Sequence, residues 1–333
     1  KALLGQGDVR KAYWELSETV RLDPSNQEAK LRYGRLLLFG EQEELEQAAR
    51  LGAEVVEAEP ESFAGWLLRA RALQELDRPV EADEAYAEAM AAAPDRVEPV
   101  LLRANFLRDE GRIEAAEPLY RTLPEIEESF VTWAALGGFL AAQEGRQEEA
   151  EKAYRQALAH ASEERRSTAI TVLANFLFAQ GRVDEAEQVM REGREARPDD
   201  LDLIYALARL HHAQGDVAKA DAMIREATRA QPDSAEPLLL LSAYRGRIGD
   251  AEGALEAAEQ AIEVAPEAID PKLRKAELLI DMGFRQQDAE RIAAGRALVQ
   301  DMLDEAPGNP QALFVKAKLD LAEERPEEAV GAL

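Results

Sequence analysis

Small side chains recur along the chain at nearly constant intervals, and leucines occupy many of the positions around them. The first series is formed by Ala12, Ala48, Ala82, Ala116, Ala150, Ala186, Ala220, Ala254 and Gly295, with Ala329 opening a further unit. The second series is formed by Gly34, Ala70, Ala104, Gly138, Ala174, Ala208, Ser242, Ala276 and Ala317. Small residues let neighbouring helices approach closely. The pattern therefore predicts repeated pairs of packed helices, with the second series on helix A and the first on helix B.

Prolines mark the same repeat. They stand at Pro24, Pro60, Pro94, Pro198, Pro232, Pro266 and Pro307, and Glu128 and Ser162 fall where two further prolines are expected. Most steps are 34 residues, the length of one helix-turn-helix unit. We therefore predict a single array over residues 1–333, with repeats ending near residues 24, 60, 94, 128, 162, 198, 232, 266 and 307. Eight units are complete, and two partial units are cut by the ends of the sequence.

Glycine recurs five residues before the first series, at Gly7, Gly111, Gly145, Gly181, Gly215 and Gly249. There it can adopt the left-handed conformation that ends a helix. Two repeats without this glycine have Pro79 or Pro326, which suits the first position of a helix.

Two segments depart from the regular pattern. Pro118 and Pro124 lie inside a predicted B helix and are followed by Gly137 and Gly138, so we expect a bend over residues 118–138 rather than a domain boundary. The segment from Gly283 to Gly295 belongs to a repeat step of 41 residues, and we expect it to lengthen both of its helices by about one turn.

Charge restricts the possible partners. The chain has 40 basic and 66 acidic residues, for a formal net charge of -26. Such a surface repels phosphate backbones and anionic lipid, so nucleic acid is not an expected partner. Direct membrane insertion is not expected either, because no apolar run reaches the roughly 20 residues of a membrane-spanning helix. Cysteine is absent, which excludes disulfides and thiolate metal sites and leaves the redox compartment open.

The sequence predicts no catalytic, cofactor-binding or metal-binding site. Adjacent positions on a helix diverge, so His211 and His212 do not readily share a metal ion, and we interpret them as surface or groove residues. The acidic clusters at residues 41–46, 125–128 and 323–328 lack calcium-loop spacing and are interpreted as solvated helix ends. The aromatic stripe is interpreted as packing between helices and consists of Tyr86, Tyr120 and Tyr154.

Stretches such as AEKAYRQAL (150–158) and GRVDEAEQVMREGREARPDD (181–200) resemble tetratricopeptide repeats, and the resemblance covers essentially the whole chain. The bulky residue expected near the start of helix A is present as Trp66 but replaced by Lys30 and Lys272. The resemblance implies an all-α solenoid of antiparallel helix pairs, a right-handed superhelix whose A helices line a concave groove.

The same resemblance implies that a protein or peptide binds in this groove. Carried onto the present sequence, one set of groove positions directly follows the second series, and another lies three residues before it, at Leu31, Leu67, Leu101, Ala135, Thr171, Tyr205, Leu239, Leu273 and Phe314. The candidate partner-binding residues are Arg35, Arg71, Asn105, Arg108, Phe139, Asn175, Phe178, Tyr205, Arg209 and His212. Arginine and aromatic side chains are typical anchors at interfaces. Phe139 interrupts the asparagines that a clamp for a terminal carboxylate requires.

Three functions remain open. The first is a non-catalytic scaffold or adaptor for protein partners. In the second, the array is the recognition arm of a larger enzyme, such as a transferase, whose catalytic domain lies outside these residues. In the third, it is a bacterial envelope protein that assembles polysaccharide or appendages, as the Arg-rich and Lys-poor style of LRYGRLLLFG suggests. A soluble protein is expected, with the periplasm favoured over the cytoplasm.

Overall fold

The computed structural model describes residues 9–323 and residue 325, and these contain helices and short connections but no strand. The predicted repeat positions Gly7, Pro326 and Ala329 lie outside the described residues, as does most of the acidic cluster at residues 323–328. The chain divides into two compact units, Lys1–Phe176 and Leu177–Leu333.

The first unit is built from α1 (Val9–Leu22), α2 (Gln27–Leu37), α3 (Gln42–Ala58), α4 (Phe63–Glu75), α5 (Pro79–Ala92), α6 (Val97–Asp109), α7 (Ile113–Ile126), α8 (Phe130–Ala141) and α9 (Gln147–Ala159). A short 3-10 helix, Glu163–Arg165, precedes α10 (Arg166–Ala179), which contains the unit boundary. The second unit continues with α11 (Val183–Ala196), α12 (Leu201–Ala213), α13 (Val217–Ala230), α14 (Glu236–Arg247), α15 (Ala251–Val264), α16 (Ile269–Gln286), α17 (Ala289–Glu305) and α18 (Pro310–Ala322).

Even-numbered helices are the predicted A helices, and odd-numbered helices are the B helices. Helices that follow one another in sequence pack together throughout most of each unit. A helices also contact the next A helix at α2 and α4, at α12 and α14, and at α16 and α18. The all-α architecture of repeated helix pairs is therefore confirmed.

The turns between helices A and B follow the glycine pattern. All five described turn glycines have positive φ, from +72° at Gly111 to +87° at Gly249. Asp77 takes the same conformation, at φ +56°, in the repeat where Pro79 begins helix B. The predicted helix endings are confirmed, and aspartate replaces glycine at one of them.

Both small series lie where helices meet. Every described member of the first series is buried, and every member of the second except Gly138 is buried. In α8 the buried residue is Gly137, where an added Cβ would come within 2.9 Å of the Tyr154 ring. The prediction of Gly138 was therefore wrong by one position. Its cause is the connection after α7, residues 127–129, which is one residue shorter than residues 93–96 after α5.

The two irregular segments have different outcomes. The predicted lengthening is confirmed, because α16 has 18 residues and α17 has 17, whereas α14 has 12 and α15 has 14. Helix α7 runs without interruption through Pro118 and Pro124, and the Thr122 hydroxyl donates to the Pro118 carbonyl at 2.9 Å. The bend over residues 118–138 stays a prediction.

Aromatic pairs fill the space between successive repeats in the first unit. Their ring centroids lie 5.3 Å apart for Tyr86 and Phe106, and 4.3 Å apart for Tyr120 and Phe139. Tyr154 and Phe176 form the third pair, at 5.1 Å. The packing role predicted for the tyrosine stripe is confirmed, and its partners are phenylalanines of the A helices.

Candidate functional site

An open apolar slot lies on the A helices of the second unit. Three predicted groove positions on successive A helices, Leu239 of α14, Leu273 of α16 and Phe314 of α18, line this cavity of about 480 Å³ together with Pro310 and Val315. Phe314 is 54% exposed, although it is a large apolar side chain. We call this cavity the apolar slot. Its polar edge is formed by Asp270, Arg274, Glu277 and Gln311.

A second cavity, of about 590 Å³, lies beside the first and shares Arg274 with it. We call it the arginine slot. Its charged lining residues are Arg247, Arg274, Arg285 and Asp281. The remaining lining includes Tyr205, Leu278, Met282 and Gln286. The last turn of α16, which the longer repeat adds, therefore forms part of its wall.

Ser242 fixes the position of the Arg274 side chain through two hydrogen bonds. Its Nε donates to the Ser242 hydroxyl at 3.0 Å, and its Nη2 donates to the Ser242 carbonyl at 3.1 Å. The hydroxyl in turn donates to the Ala254 carbonyl at 2.8 Å. Ser242 belongs to the second small series, where most repeats have alanine. Its hydroxyl thus connects the buried helix contact to a charged side chain that lines both slots.

The other two arginines of the slot are more exposed. The Arg247 guanidinium lies 5.9 Å from the centre of the Tyr205 ring, within the range of a cation–π contact. Arg285 is exposed on the last turn of α16. Among the described residues, neither Arg247 nor Arg285 has a carboxylate within ion-pair distance. Both guanidinium groups are therefore available to an anionic group of a ligand.

In the first unit, two predicted groove residues of α6, Asn105 and Arg108, form hydrogen bonds within the protein. The Asn105 amide oxygen accepts a hydrogen bond from the Tyr120 hydroxyl at 2.6 Å. Arg108 donates to the same hydroxyl at 3.0 Å and also bonds to Asp109. Burial raises the pKa of Tyr120, so its hydroxyl stays protonated and can donate to Asn105. The amide oxygen of Asn105 is thus already used inside the repeat.

The remaining predicted groove residues differ in their accessibility. Phe139 is only 2% exposed and stacks on Tyr120, so its prediction as a groove residue was wrong, for the same one-residue shift that buries Gly137. Side chains at the other positions are exposed or half-buried, namely Arg35, Arg71, Asn105, Arg108, Asn175, Phe178, Tyr205, Arg209 and His212. Their role in binding a partner stays a prediction.

The histidines were only partly predicted. His160 is exposed at the end of α9. His211 is buried, with Nδ1 3.2 Å from the Gln214 side-chain oxygen, so its prediction as a surface or groove residue was wrong. His212 is half-buried, and its ring meets the Tyr244 ring edge-on at 6.1 Å. Within residues 9–323, no three His, Asp or Glu side chains are placed to ligate a metal ion.

The sequence did not single out Arg274, Asp281 or Arg285 as site residues. One signal was available: the serine at position 242, which places a hydroxyl in a series of small apolar residues. The other was the extra turn predicted between Gly283 and Gly295, since added helix exposes new side chains next to an existing groove. None of the described helices is both long and apolar enough to cross a membrane.

Family models of repeated helix pairs agree with this architecture. Two tetratricopeptide-repeat family models match the sequence, one over residues 141–202 and the other over residues 201–234. A search of curated proteins finds no match.

Solved structures with a related arrangement include yeast Tom70, at 14% identity and a TM-score of 0.49, over 99% of this chain and 88% of that chain. A tetratricopeptide repeat protein from Parabacteroides merdae matches at 18% identity and a TM-score of 0.42, over 80% of this chain and 98% of that one. The Cut9-Hcn1 hetero-tetramer of the APC/C matches at 14% identity and a TM-score of 0.40, and the chain spans 55% of that chain while 83% of its own length is covered. Residues 141–234 of this all-helical chain therefore match tetratricopeptide-repeat models, in agreement with its helix pairs and its buried small-residue series.

Proposed function

We propose that this protein is a scaffold that binds an extended peptide, or an extended segment of a partner protein, along the A helices of its second unit. The observation that carries the proposal is the apolar slot. Equivalent positions of three successive A helices, Leu239, Leu273 and Phe314, line one open cavity.

Exposed apolar side chains in a recess favour a ligand. Phe314 presents more than half of its surface to solvent, while Leu273 in the same slot is 7% exposed. A ligand side chain placed between them removes apolar surface from water, which contributes about 25 cal/mol for each Å². An extended segment suits a surface made from parallel rows of helix positions, because its alternate side chains can enter successive recesses.

Peptide display tests this proposal. A library of random peptides is selected on the intact chain, and binding of the selected peptides is then measured for Phe314→Ala and Val217→Ala. Val217 is an exposed apolar residue at the start of the B helix α13, away from the slot. We expect Phe314→Ala to weaken binding about tenfold or more, as anchors at interfaces do, and Val217→Ala to change it little.

The substitutions test binding only if both variants stay folded. Phe314 and Val217 are exposed, so each variant is expected to keep the circular dichroism spectrum and melting temperature of the original chain within about 2 °C. Selected peptides that bind Phe314→Ala and the original chain equally well would place their site elsewhere and refute the proposal.

A further inference from the structure

The two slots differ in local charge, and the charge of the arginine slot is opposite in sign to that of the whole protein. Three arginines and one aspartate line the arginine slot, for a local formal charge of +2. The apolar slot has Asp270 and Glu277 against Arg274, for a local charge of -1. The whole chain has a formal charge of -26. A basic recess in such an acidic protein attracts an anionic group specifically to one end of the groove.

The geometry limits the distance between the two groups that a ligand presents. Along α16, the apolar slot is centred near Leu273 and Glu277, and the arginine slot is centred near Asp281 and Arg285. This offset is about two helical turns, or roughly 11 Å at 1.5 Å per residue, and the shift across neighbouring helices increases it to about 14 Å. An extended chain covers that distance in about four residues, and side chains four residues apart lie on the same face of the chain.

Arginine side chains are well suited to this recess. A guanidinium group presents a planar fork of donors that matches the two oxygens of a carboxylate. The Tyr205 ring supports Arg247, and Ser242 holds Arg274, so less conformational freedom is lost when an anion binds. Asp270 and Glu277 repel an acidic residue from the apolar slot, which directs the acidic group of the ligand to the arginine slot.

We propose that the groove selects an extended peptide segment with a bulky apolar side chain for the apolar slot and a side-chain carboxylate four residues away for Arg247 and Arg285. This inference rests on the proposed function, because it specifies the chemistry of a ligand for the same site. It assigns to the longer helix α16 a role in selecting the ligand, since Arg285 lies on the added turn.

The test uses peptides of defined sequence. Ten-residue Gly/Ser peptides are acetylated and amidated, so that their only carboxylate is a side chain. Each carries one Phe and, four residues away, Glu, Gln or Lys. They are immobilised on a biosensor surface, and the intact chain is titrated over them. We expect the Glu peptide to bind about tenfold more tightly than the Gln peptide, and the Lys peptide to bind more weakly than either.

Charge reversal then identifies the recess. Arg285→Glu is compared with Arg229→Glu, which makes the same charge change at an exposed position of the B helix α13. Arg285→Glu should abolish the preference for Glu over Gln, whereas Arg229→Glu should keep it. Raising the salt concentration should reduce the same preference, because exposed charges are screened within about 10 Å at 0.1 M salt.

The outcomes separate this inference from the proposed function. If all three peptides bind equally and Phe314→Ala still abolishes binding, the groove binds apolar segments but the selection for acid is refuted. If the preference for Glu survives Arg285→Glu, or is lost in Arg229→Glu to the same extent, the assigned recess is wrong. If neither these peptides nor the selected display peptides depend on Phe314, both proposals are refuted.

Discussion

The two units fill equivalent layers between their helices with different side chains. In the first unit, the layer between a B helix and the next A helix is a tyrosine–phenylalanine pair in three successive repeats. At the corresponding positions, the second unit has pairs of buried residues that differ from repeat to repeat, namely Ile224 with Tyr244, Ala258 with Leu278, and Val299 with Leu319. The small residues next to these layers are buried in both units. The repeat therefore fixes where helices approach each other, while the filling of the layer is free to vary.

This difference extends to the A-helix surface. In the first unit, Tyr120 uses its hydroxyl to engage Asn105 and Arg108, so those groove candidates also serve the core. In the second unit, Tyr244 donates to the Val217 carbonyl at 3.4 Å, on helix B. Its A helices instead present Arg247 and Arg285 beside an open recess. We infer that the Tyr120 layer favours stability by bonding to Asn105 and Arg108, whereas the layers of the second unit leave Arg247 and Arg285 available.

The largest expected effect comes from removing one aromatic layer. Tyr120→Ala deletes a fully buried ring that stacks on Phe139. We expect it to destabilise its repeats by about 3–5 kcal/mol, the usual cost for a large aromatic side chain. Long repeat arrays need not unfold in one step, so the readout is amide hydrogen exchange followed by mass spectrometry. Exchange should accelerate in residues 113–141 and stay unchanged in residues 201–230. Tyr120→Phe, the control, keeps the ring and should cost only about 1 kcal/mol.

A smaller effect distinguishes the two neighbouring glycines of α8. A side chain at Gly137 meets the Tyr154 ring, whereas at Gly138 the nearest atom is the Tyr154 hydroxyl, at 3.6 Å. Gly137→Leu should therefore destabilise the repeat by about 1–3 kcal/mol through overpacking, while Gly138→Ala should stabilise it by up to about 1 kcal/mol through helix propensity. Hydrogen exchange in residues 130–159 measures both. If Gly138→Ala destabilised the repeat and Gly137→Leu did not, the register predicted from the sequence, with Gly138 at the helix contact, would be correct.

Ser242→Ala tests the contact between the second unit's core and its groove. The substitution removes the hydroxyl that accepts from Arg274 and donates to the Ala254 carbonyl. We expect a loss of about 1 kcal/mol, because alanine suits the buried position and the lost hydrogen bonds are its only cost. Hydrogen exchange in residues 236–264 gives the stability. A loss above about 3 kcal/mol would contradict this expectation and show that the contact between Ser242 and Arg274 is a main support of the fold.

The smallest expected effect is electrostatic and lies on the B helices of the first unit. Glu149 accepts hydrogen bonds from Arg146 at 2.6 Å and from Arg121 at 2.8 Å, and these lower its pKa to about 2. A lowered carboxyl pKa contributes stability above its ordinary value of 4.5, and this contribution is lost as the pH falls from 4.5 towards 2. The ion pair between Arg146 and Glu149 is partly exposed, so its contribution to stability is modest.

Glu149→Gln isolates this contribution. At pH 6 the original chain should melt slightly above the variant, and the gap should close as the pH approaches 2. A constant gap between pH 6 and pH 2 would mean that the ionised carboxylate does not contribute. Because the arginines bridge α7 and α9, high salt at pH 6 should also narrow the gap.

Much of the fold follows directly from the sequence. The small series, the prolines and the turn glycines predicted the helix pairs, because each depends on backbone geometry that only a few residue types allow. The error at Gly137 and Gly138 arose where a proline mark is missing. Without Pro to fix the end of the repeat at Glu128, the pattern does not show that the connection after α7 is one residue shorter.

The site was less predictable, because the expected groove positions depend only on their spacing from the small series. The spacing from the small series predicted the positions of Leu239, Leu273 and Phe314, which lie in one slot. It was wrong for Phe139, because the register of α8 is shifted by one residue. It also missed Arg274, whose orientation depends on a hydrogen bond to Ser242 from a different helix. The partner, the pathway and the compartment, including a role in the bacterial envelope or as part of a larger enzyme, stay predictions.

The central claim is that ligands lie on the A helices of the second unit, and photo-crosslinking tests it most directly. A peptide selected on the intact chain is synthesised with a benzophenone in place of its apolar residue, irradiated in the complex, and the attachment site is mapped by mass spectrometry. We expect attachment within residues 236–247, 269–286 and 310–322, and its loss when unlabelled peptide competes. Attachment to B helices such as α13 or α15, or to residues 9–176, would contradict the account.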